Sequence, residues 1–496
     1  MDRDRRIEDI VLVGGTLTAW TAAARLASAF PGTVRVTVLE PPRRTTAQTE
    51  TDQVITLAPH VQRDLFDPLG IPEETWMRAA SATFNLAVRY ENWRTPNSTA
   101  APDHFSLPWA GVPECEDFPL SDFWRLRRAE GRTTEPYDYA CFREPPLLDA
   151  GKSPRWLDGR AAVPYGWHAD AGMLRNFLRR TTIAQGMARA MTGTPLRATR
   201  DENGMLTSLH TEEGRAIKAD LFVDCTGRER KLFSTILGEE WLGEEGRNTG
   251  GVTRTTVPHP TAMTRSGHVA PFSTLTALPD GWVWRRPLLD RTGVDHVHTL
   301  HAAGRSRSAW VKNCVALGEA AWRTDPLMPP GLTATLSQLT YMIRNLPSQQ
   351  AREAPSPGYD RATRTAYEEA TDTTRLLYWA SPRKDTAFWR SRHELPLSDR
   401  LLRCLENHTT GLTPDPSDAH EARLRTLLTA LDPRGATPPP ALCHHATAVL
   451  RADEHFARIS RHQQTLLETL PTAYEYLHRL HARAALLSPA PTPAVA

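Results

Sequence analysis

The sequence has no apolar run of about eighteen residues, which excludes an ordinary membrane-spanning helix. It has no C-x-x-C pair. Its six cysteines (Cys115, Cys141, Cys225, Cys314, Cys404 and Cys443) are scattered, so they read as reduced, mostly buried thiols rather than a disulfide frame or a zinc site. No charge sign dominates. A formal net charge of +2 with 23% charged residues gives no electrostatic reason to expect nucleic acid or an acidic membrane as a partner. No internal repeat at solenoid periods is present. The opening "MDRDRRIEDI" has no apolar segment behind its charges, so no secretory signal is written and a cytoplasmic location is expected. What is there is a chain of 496 residues with 40% hydrophobic content, long enough for two or more sub-domains around sizeable cores.

One further lack is local. The stretch "IVLVGGTLTAWTAAARLA", residues 10–27, has the outline of a dinucleotide-binding turn but lacks two of its three glycines. In G-x-G-x-x-G the first glycine makes the bend, the second lets the backbone approach a pyrophosphate, and the third lets helix pack on strand. This register places Gly14, Thr16 and Ala19 there, with Gly15 beside them. Gly14 can make the bend, and Ala19 adds only a methyl. Thr16 puts a β-branched side chain where a phosphate would sit. Glu40, ending the next strand, is placed to accept ribose hydroxyls.

"IEDIVLVGG" and "TVRVTVLEPP" bracket the helix "TAWTAAARLASAF" as a β-α-β unit, which predicts an α/β fold around a Rossmann-type core. "KADLFVDCTG" and "KNCVALGEAAW" read as further strands of that sheet. Between them, "STLTALPDGWVWRRPLL" and "GVDHVHTLHA" alternate as antiparallel strands, which predicts an inserted mixed substrate sheet. From about residue 333 the pattern turns helical. The expected division is a core over residues 1–335 that holds the β-α-β unit and the inserted sheet, a mostly helical module over 336–486 and a disordered tail, "SPAPTPAVA" at its end, over 487–496.

The stretch "GIPEETWMRAASATFNLAVRYENWR", followed by "HADAGMLRNFLRR", "ADLFVDCTG", "DGWVWRRP", "NCVALGEAAWRTDPL", "YWASPRKDTAFWR" and "LPTAYEYL", resembles the flavin-dependent halogenases of the tryptophan halogenase type over nearly the whole chain. The family marker W-x-W-x-I-P reads here Trp282, Val283, Trp284, Arg285, Arg286, Pro287. The resemblance implies a p-hydroxybenzoate-hydroxylase-like flavoprotein fold with a C-terminal helical module. It also implies a chemistry in which reduced flavin, O2 and halide give hypohalous acid, which reaches a lysine beside an aromatic substrate, with a nearby carboxylate assisting.

Several parts of that chemistry are altered in this chain. The family's lysine position is Asn85, whose amide has neither a nucleophilic nitrogen nor a charge. The segment like E-P-L-E-S-T-G-I is "DPLMPPGL". It puts Met328 at the carboxylate position and Pro329 and Pro330, the latter pair without N–H groups, at the halide-binding turn before Gly331. The flavin loop like G-E-A-T-x-P is "VITLAP", residues 54–59. Glu319, in "GEAAWRTDP", keeps a Gly-acid pair like one found near the ribityl chain in related flavoproteins.

The expectation is therefore an enzyme of specialised metabolism that reuses the halogenase scaffold without flavin, for cyclisation, dehydration or rearrangement of a bulky aromatic or polyketide-type intermediate. Two alternatives stay open. One is an FAD-dependent monooxygenase or halogenase with atypical contacts, holding FAD weakly through Gly14, Gly15, Thr16, Glu40, Glu319 and Gly331 and served by a flavin reductase. The other is a non-catalytic protein that binds a ligand or partner. Candidate polar residues are Asn85, Glu91, His168, Asp170 and the H-x-H pair His296 and His298, with His301 beyond it. Candidate substrate contacts are Trp282, Trp284, Met328, Tyr378, Trp379 and Phe388. H-x-H on a strand lacks a third ligand at known spacing, so no metal is expected. Oligomeric state stays open, with a homodimer as one arrangement.

Overall fold

The computed structural model describes residues 7–42, 53–95, 103–243, 252–258, 267–297, 303–328, 331–346, 357–412, 418–431 and 437–487. The chain forms two compact units, one of residues 1–73, 170–255 and 295–375 and one of residues 74–169, 256–294 and 376–496. The boundary expected at residue 335 thus falls inside the first unit. The reason is local: the helix Gly331–Arg344 packs against Leu17–Ala29, the helix of the β-α-β motif, and so belongs with it. His298, His301, Pro329, Pro330 and the expected tail beyond 487 lie outside the described residues.

The first unit is built on the β-α-β motif expected from the sequence. Asp9–Val13 pairs in parallel with Arg35–Glu40 on one side and with Leu221–Asp224 on the other. Ala188–Thr192 and Cys314–Ala316 extend the sheet in the same direction, and Trp310–Val311 closes it as an antiparallel edge. The central strands are buried along most of their length, and Leu17–Ala29 packs against Asp9–Val13, Arg35–Glu40 and Ala188–Thr192. Leu17–Ala29 buries Ala19, Trp20, Ala22, Ala23, Ala24 and Leu26 completely, and its alanines let it pack closely against the helices Ala171–Ala184 and Gly331–Arg344.

The second unit carries the antiparallel hairpin Ser273–Leu278 and Gly281–Pro287, with Trp282 opposite Ala277 and Trp284 opposite Leu275. Ser273–Leu278 also pairs in parallel with Ala87–Glu91, which pairs antiparallel with His104–Pro108. A neighbouring ladder sets Thr83 opposite His168 and Asn85 opposite Gly166. Helices Ala387–His393, Asp399–Thr410, Ala419–Leu431, Ala446–Thr469 and Ala473–Leu487 complete this unit, as the three-to-four spacing of its C-terminal sequence predicts. Among the described residues, no helix is long and apolar enough to cross a membrane.

Candidate functional site

Two places hold most of the residues singled out from the sequence. The dinucleotide turn lies in the first unit. Gly14 takes φ +118, and a Cβ there would come within 2.8 Å of the Cys225 carbonyl oxygen, so only glycine makes this bend. Thr16 is the N-cap of Leu17–Ala29: its hydroxyl accepts from the Ala19 N–H at 3.2 Å and donates to the Cys225 carbonyl at 2.9 Å. The side chain thereby takes the place at the helix N-terminus that a phosphate needs.

Glu40 is engaged just as fully. Its Oε1 accepts from the Trp20 indole N–H at 3.0 Å, and Arg179 donates to both carboxylate oxygens at 3.0–3.1 Å. The Arg179 guanidinium also lies 5.6 Å from the Trp20 ring. Gly15 faces the Glu40 side chain, to which a Cβ would be 3.5 Å. Glu319 pairs with Arg228 at 3.3 Å, and the Gly318 N–H donates to Gln338 Oε1 at 2.9 Å. Gly331 opens its helix at φ +54. Met328 is half-buried, its backbone tied to Asp325 and Thr324. The residues here do not fit a pyrophosphate and ribose as they stand, because the hydroxyl and the carboxylate that would meet them already serve the protein's own donors and acceptors.

The second place is a buried polar cluster in the second unit. Asn85 is fully buried. Its Oδ1 accepts from the Ser273 N–H at 3.2 Å, while its Nδ2 has no hydrogen-bond partner among the described residues. The Ser273 hydroxyl is 2.9 Å from His168 Nε2, and Thr83 Oγ1 lies 3.4 Å from His168 Nδ1 while donating to the Pro287 carbonyl. Burial first, and the nearby Arg286 charge second, push the His168 imidazole down to a pKa of about 3. His168 is therefore neutral at physiological pH and works as a hydrogen-bonding group rather than a cation. Asn85, Ser273, His168 and Thr83 thus form one buried chain of contacts that holds an amide N–H with no partner among the described residues.

The remaining candidates have separate positions. Glu91 accepts from Thr276 Oγ1 at 2.8 Å, on the open strand next to Arg285. Asp170 caps the helix Ala171–Ala184, accepting from the Met173 N–H at 2.6 Å. His296 is half-buried on Arg291–Val297. Trp282 donates its indole N–H to Tyr378 Oη at 3.0 Å, and Tyr378 sits among Trp93, Trp389 and Phe388, with ring centroids 6.2–6.4 Å away. Trp282 and Tyr378 are both buried, whereas Trp379 is 40% exposed. Trp284 carries the Arg286 guanidinium 4.5 Å from its ring.

Sequence reasoning missed Ser273, Thr83 and Arg179. Arg179 left a faint signal, a long cation in the helix next to the β-α-β motif. Ser273 left none, because its contact with Asn85 depends on a parallel pairing of strands far apart in sequence.

The sequence profile of the family described as "Tryptophan halogenase" matches residues 9–303 and 298–420. The chain is 31% identical to tryptophan 7-halogenase RebH of Lentzea aerocolonigenes, over 96% of this chain and 99% of that protein. It is 32% identical to tryptophan 7-halogenase KtzQ of Kutzneria sp. (strain 744), again over 96% and 99%. Among solved structures it is similar to tryptophan 6-halogenase SttH of Streptomyces toxytricini, with a TM-score of 0.84 at 27% identity over 95% of this chain and 99% of that one.

Proposed function

The chain belongs to the tryptophan halogenase family, and from that premise we propose that it is a family enzyme of natural-product metabolism whose reaction on a bulky aromatic small molecule runs without flavin. The observation that carries this reading is the dinucleotide turn closed on itself: Thr16 caps its own helix, and Arg179 and Trp20 hold Glu40. Asn85 adds a second line of support. At the position of the family's lysine, an amide can donate a hydrogen bond to a substrate carbonyl or hydroxyl oxygen but cannot carry a halogen as a nucleophilic amine would.

On this reading the protein contributes orientation and hydrogen bonding. The Asn85 Nδ2–H fixes a substrate oxygen, and Ser273 and neutral His168 hold the amide in its rotamer. Such a site suits a substrate that already contains the reactive groups for its own cyclisation, dehydration or rearrangement. Retained FAD with a separate reductase is the second reading, favoured by the preserved Gly14 bend.

The test is direct. The purified full-length protein should be colourless and should bind added FAD no more tightly than about 100 μM, a level expected when the pyrophosphate contacts are missing. A yellow protein, or FAD affinity of about 1 μM or better, overturns the flavin-free reading. Conversion of an aromatic or polyketide-type intermediate under anaerobic conditions, lost in Asn85→Ala, is the expected positive result.

A further inference from the structure

The first unit holds a small sheet that the reading above does not use: Trp241–Gly243, Gly304–Ser306 and Trp322–Arg323. Its antiparallel register sets Trp241 opposite Ser306, Gly243 opposite Gly304, and Gly304 opposite Arg323. Directly opposed residues share a face, so Trp241, Ser306 and Arg323 all stand on one side, with the two glycines between them. The glycines make room for the indole. A Cβ on Gly304 would collide with Trp241 Nε1, and one on Gly243 would lie 3.2 Å from Trp241 Cδ1.

Two guanidinium groups stack on that indole. Arg323 Cζ is 4.4 Å from the ring centroid and Arg230 Cζ is 4.6 Å from it. Arg230 is 5% exposed and held firmly, with Nη2 donating to Ser306 Oγ at 2.9 Å and Nε to the Ala320 carbonyl at 3.3 Å. It takes φ +46, a left-handed backbone that side-chain-bearing residues adopt only when the surroundings enforce it. Arg228, nearby, is neutralised by Glu319.

Arg323 is different. Among the described residues it has the stacking contact with Trp241 but neither a hydrogen-bond acceptor nor an ion-pair partner, and its Nε is buried. The Trp241 Nε1 is buried and without a partner as well. Both unpaired atoms are donors. Burial lowers the Arg323 pKa, the Glu319 carboxylate opposes that, and Arg228 and Arg230 add smaller lowering effects. Two unsatisfied donors side by side, one of them on a guanidinium with no ion-pair partner among the described residues, call for an acceptor with negative charge.

We propose that the Trp241–Arg323 face is a binding site for an oxyanion, the carboxylate or phosphate group of a small molecule. The Arg323 fork grips the anion, the Trp241 N–H supplies a fixed donor, and Arg230 is held beneath the ring to keep both in place. The site stands independently of whether flavin is bound.

The experiment is isothermal titration calorimetry on the full-length protein with two probes, inorganic phosphate and benzoate, at constant ionic strength. Saturable binding with Kd of about 1 mM or tighter is expected for at least one probe. Arg323→Gln should weaken it at least about tenfold and Arg323→Lys by less, because lysine keeps the charge but loses the fork. Trp241→Phe keeps the stacked ring and removes only the N–H, so it carries the test if Arg323→Gln folds poorly, and it should weaken binding by about fivefold or more. Arg63→Gln, an exposed cation paired with Asp64, should change nothing. Binding of phosphate alone assigns a phosphate ester, and of benzoate alone a carboxylate. No saturable heat with either probe, or equal affinity in wild type, Arg323→Gln and Trp241→Phe, overturns the proposal.

Discussion

Arg179 grips Glu40 through both carboxylate oxygens, in the position where the family resemblance would have Glu40 meet a ribose. The pair is partly exposed, so its contribution to folding is modest, about 0.5–1 kcal/mol. Its larger effect is on what Glu40 can bind. Arg179→Ala should lower stability slightly, whereas Arg179→Ala combined with Thr16→Gly should raise FAD affinity by about tenfold or more, since it frees a carboxylate and reopens the helix N-terminus. Fluorescence quenching of FAD measures this. An unchanged, immeasurable affinity in the double variant would show that the turn is not what keeps flavin out.

Asn85→Lys should not restore halogenation. The position is fully buried, and among the described residues its side chain meets the Ser273 N–H, a donor that an ammonium cannot accept. The new lysine would have to lose its charge or move, at a cost of about 2–4 kcal/mol in stability. Mass spectrometry after incubation with FADH2, chloride, O2 and tryptophan provides the check. Any chlorinated product above the wild-type background contradicts the expectation.

Trp282 and Tyr378 supply a test of the aromatic core. Tyr378→Phe leaves the buried Trp282 N–H without its acceptor while keeping the ring contacts to Trp93, Trp389 and Phe388. A loss of about 1–3 kcal/mol in denaturant unfolding is expected, the ordinary cost of an orphaned buried donor. A loss below about 0.3 kcal/mol would mean the indole finds another acceptor or that the ring cluster alone fixes both residues.

Much of this was legible in the sequence for particular reasons. The strands at residues 9–13, 35–40, 221–224 and 314–316 are short apolar runs flanking an alanine-rich helix, and a parallel sheet is the arrangement that buries such runs on both faces. The loss of the second glycine at Thr16 was also legible. What was not legible is what replaced it: the threonine hydroxyl as a helix cap, and an arginine from residues 171–184 closing over Glu40. Both depend on packing between helices. The Asn85 cluster was half visible, since Asn85 stood out as the position of the family's lysine and His168 by type, but Ser273 joins them only through strand pairing across almost two hundred residues. The division into two units was hidden because each is assembled from three separate stretches of chain.

Gly14 and Gly15 should differ sharply in their tolerance. At Gly14 an alanine meets the Cys225 carbonyl at 2.8 Å with φ at +118, while at Gly15 the nearest atom is the Glu40 side chain at 3.5 Å. Gly14→Ala should cost about 2–3 kcal/mol and Gly15→Ala less than about 1. Comparable melting temperatures for the two variants would remove the bend from the account of this turn.

Acid should destabilise the protein through its buried histidines. His168 and His408 are pushed down to about 3 and His420 to about 4, in each case chiefly by burial and with arginine charges adding to it. The unfolded chain takes up protons near pH 6.5 while the folded chain refuses them, so the contribution is fully present above about 6.5 and is lost as pH falls toward the folded values. For one such group the slope is about 1.4 kcal/mol per pH unit within that window. Through these histidines melting temperatures should be flat from pH 8 to about 7 and fall below 6.5, whereas the buried Asp122, Asp138, Glu144 and Asp224, whose pKa values burial raises, act in the opposite direction. His168→Gln keeps hydrogen-bonding capacity toward Ser273 and removes one titrating group, so its melting curve should fall less steeply with acid than the wild type's, whatever its value at neutral pH. Identical slopes in the two proteins would mean that burial does not hold His168 neutral in the folded chain.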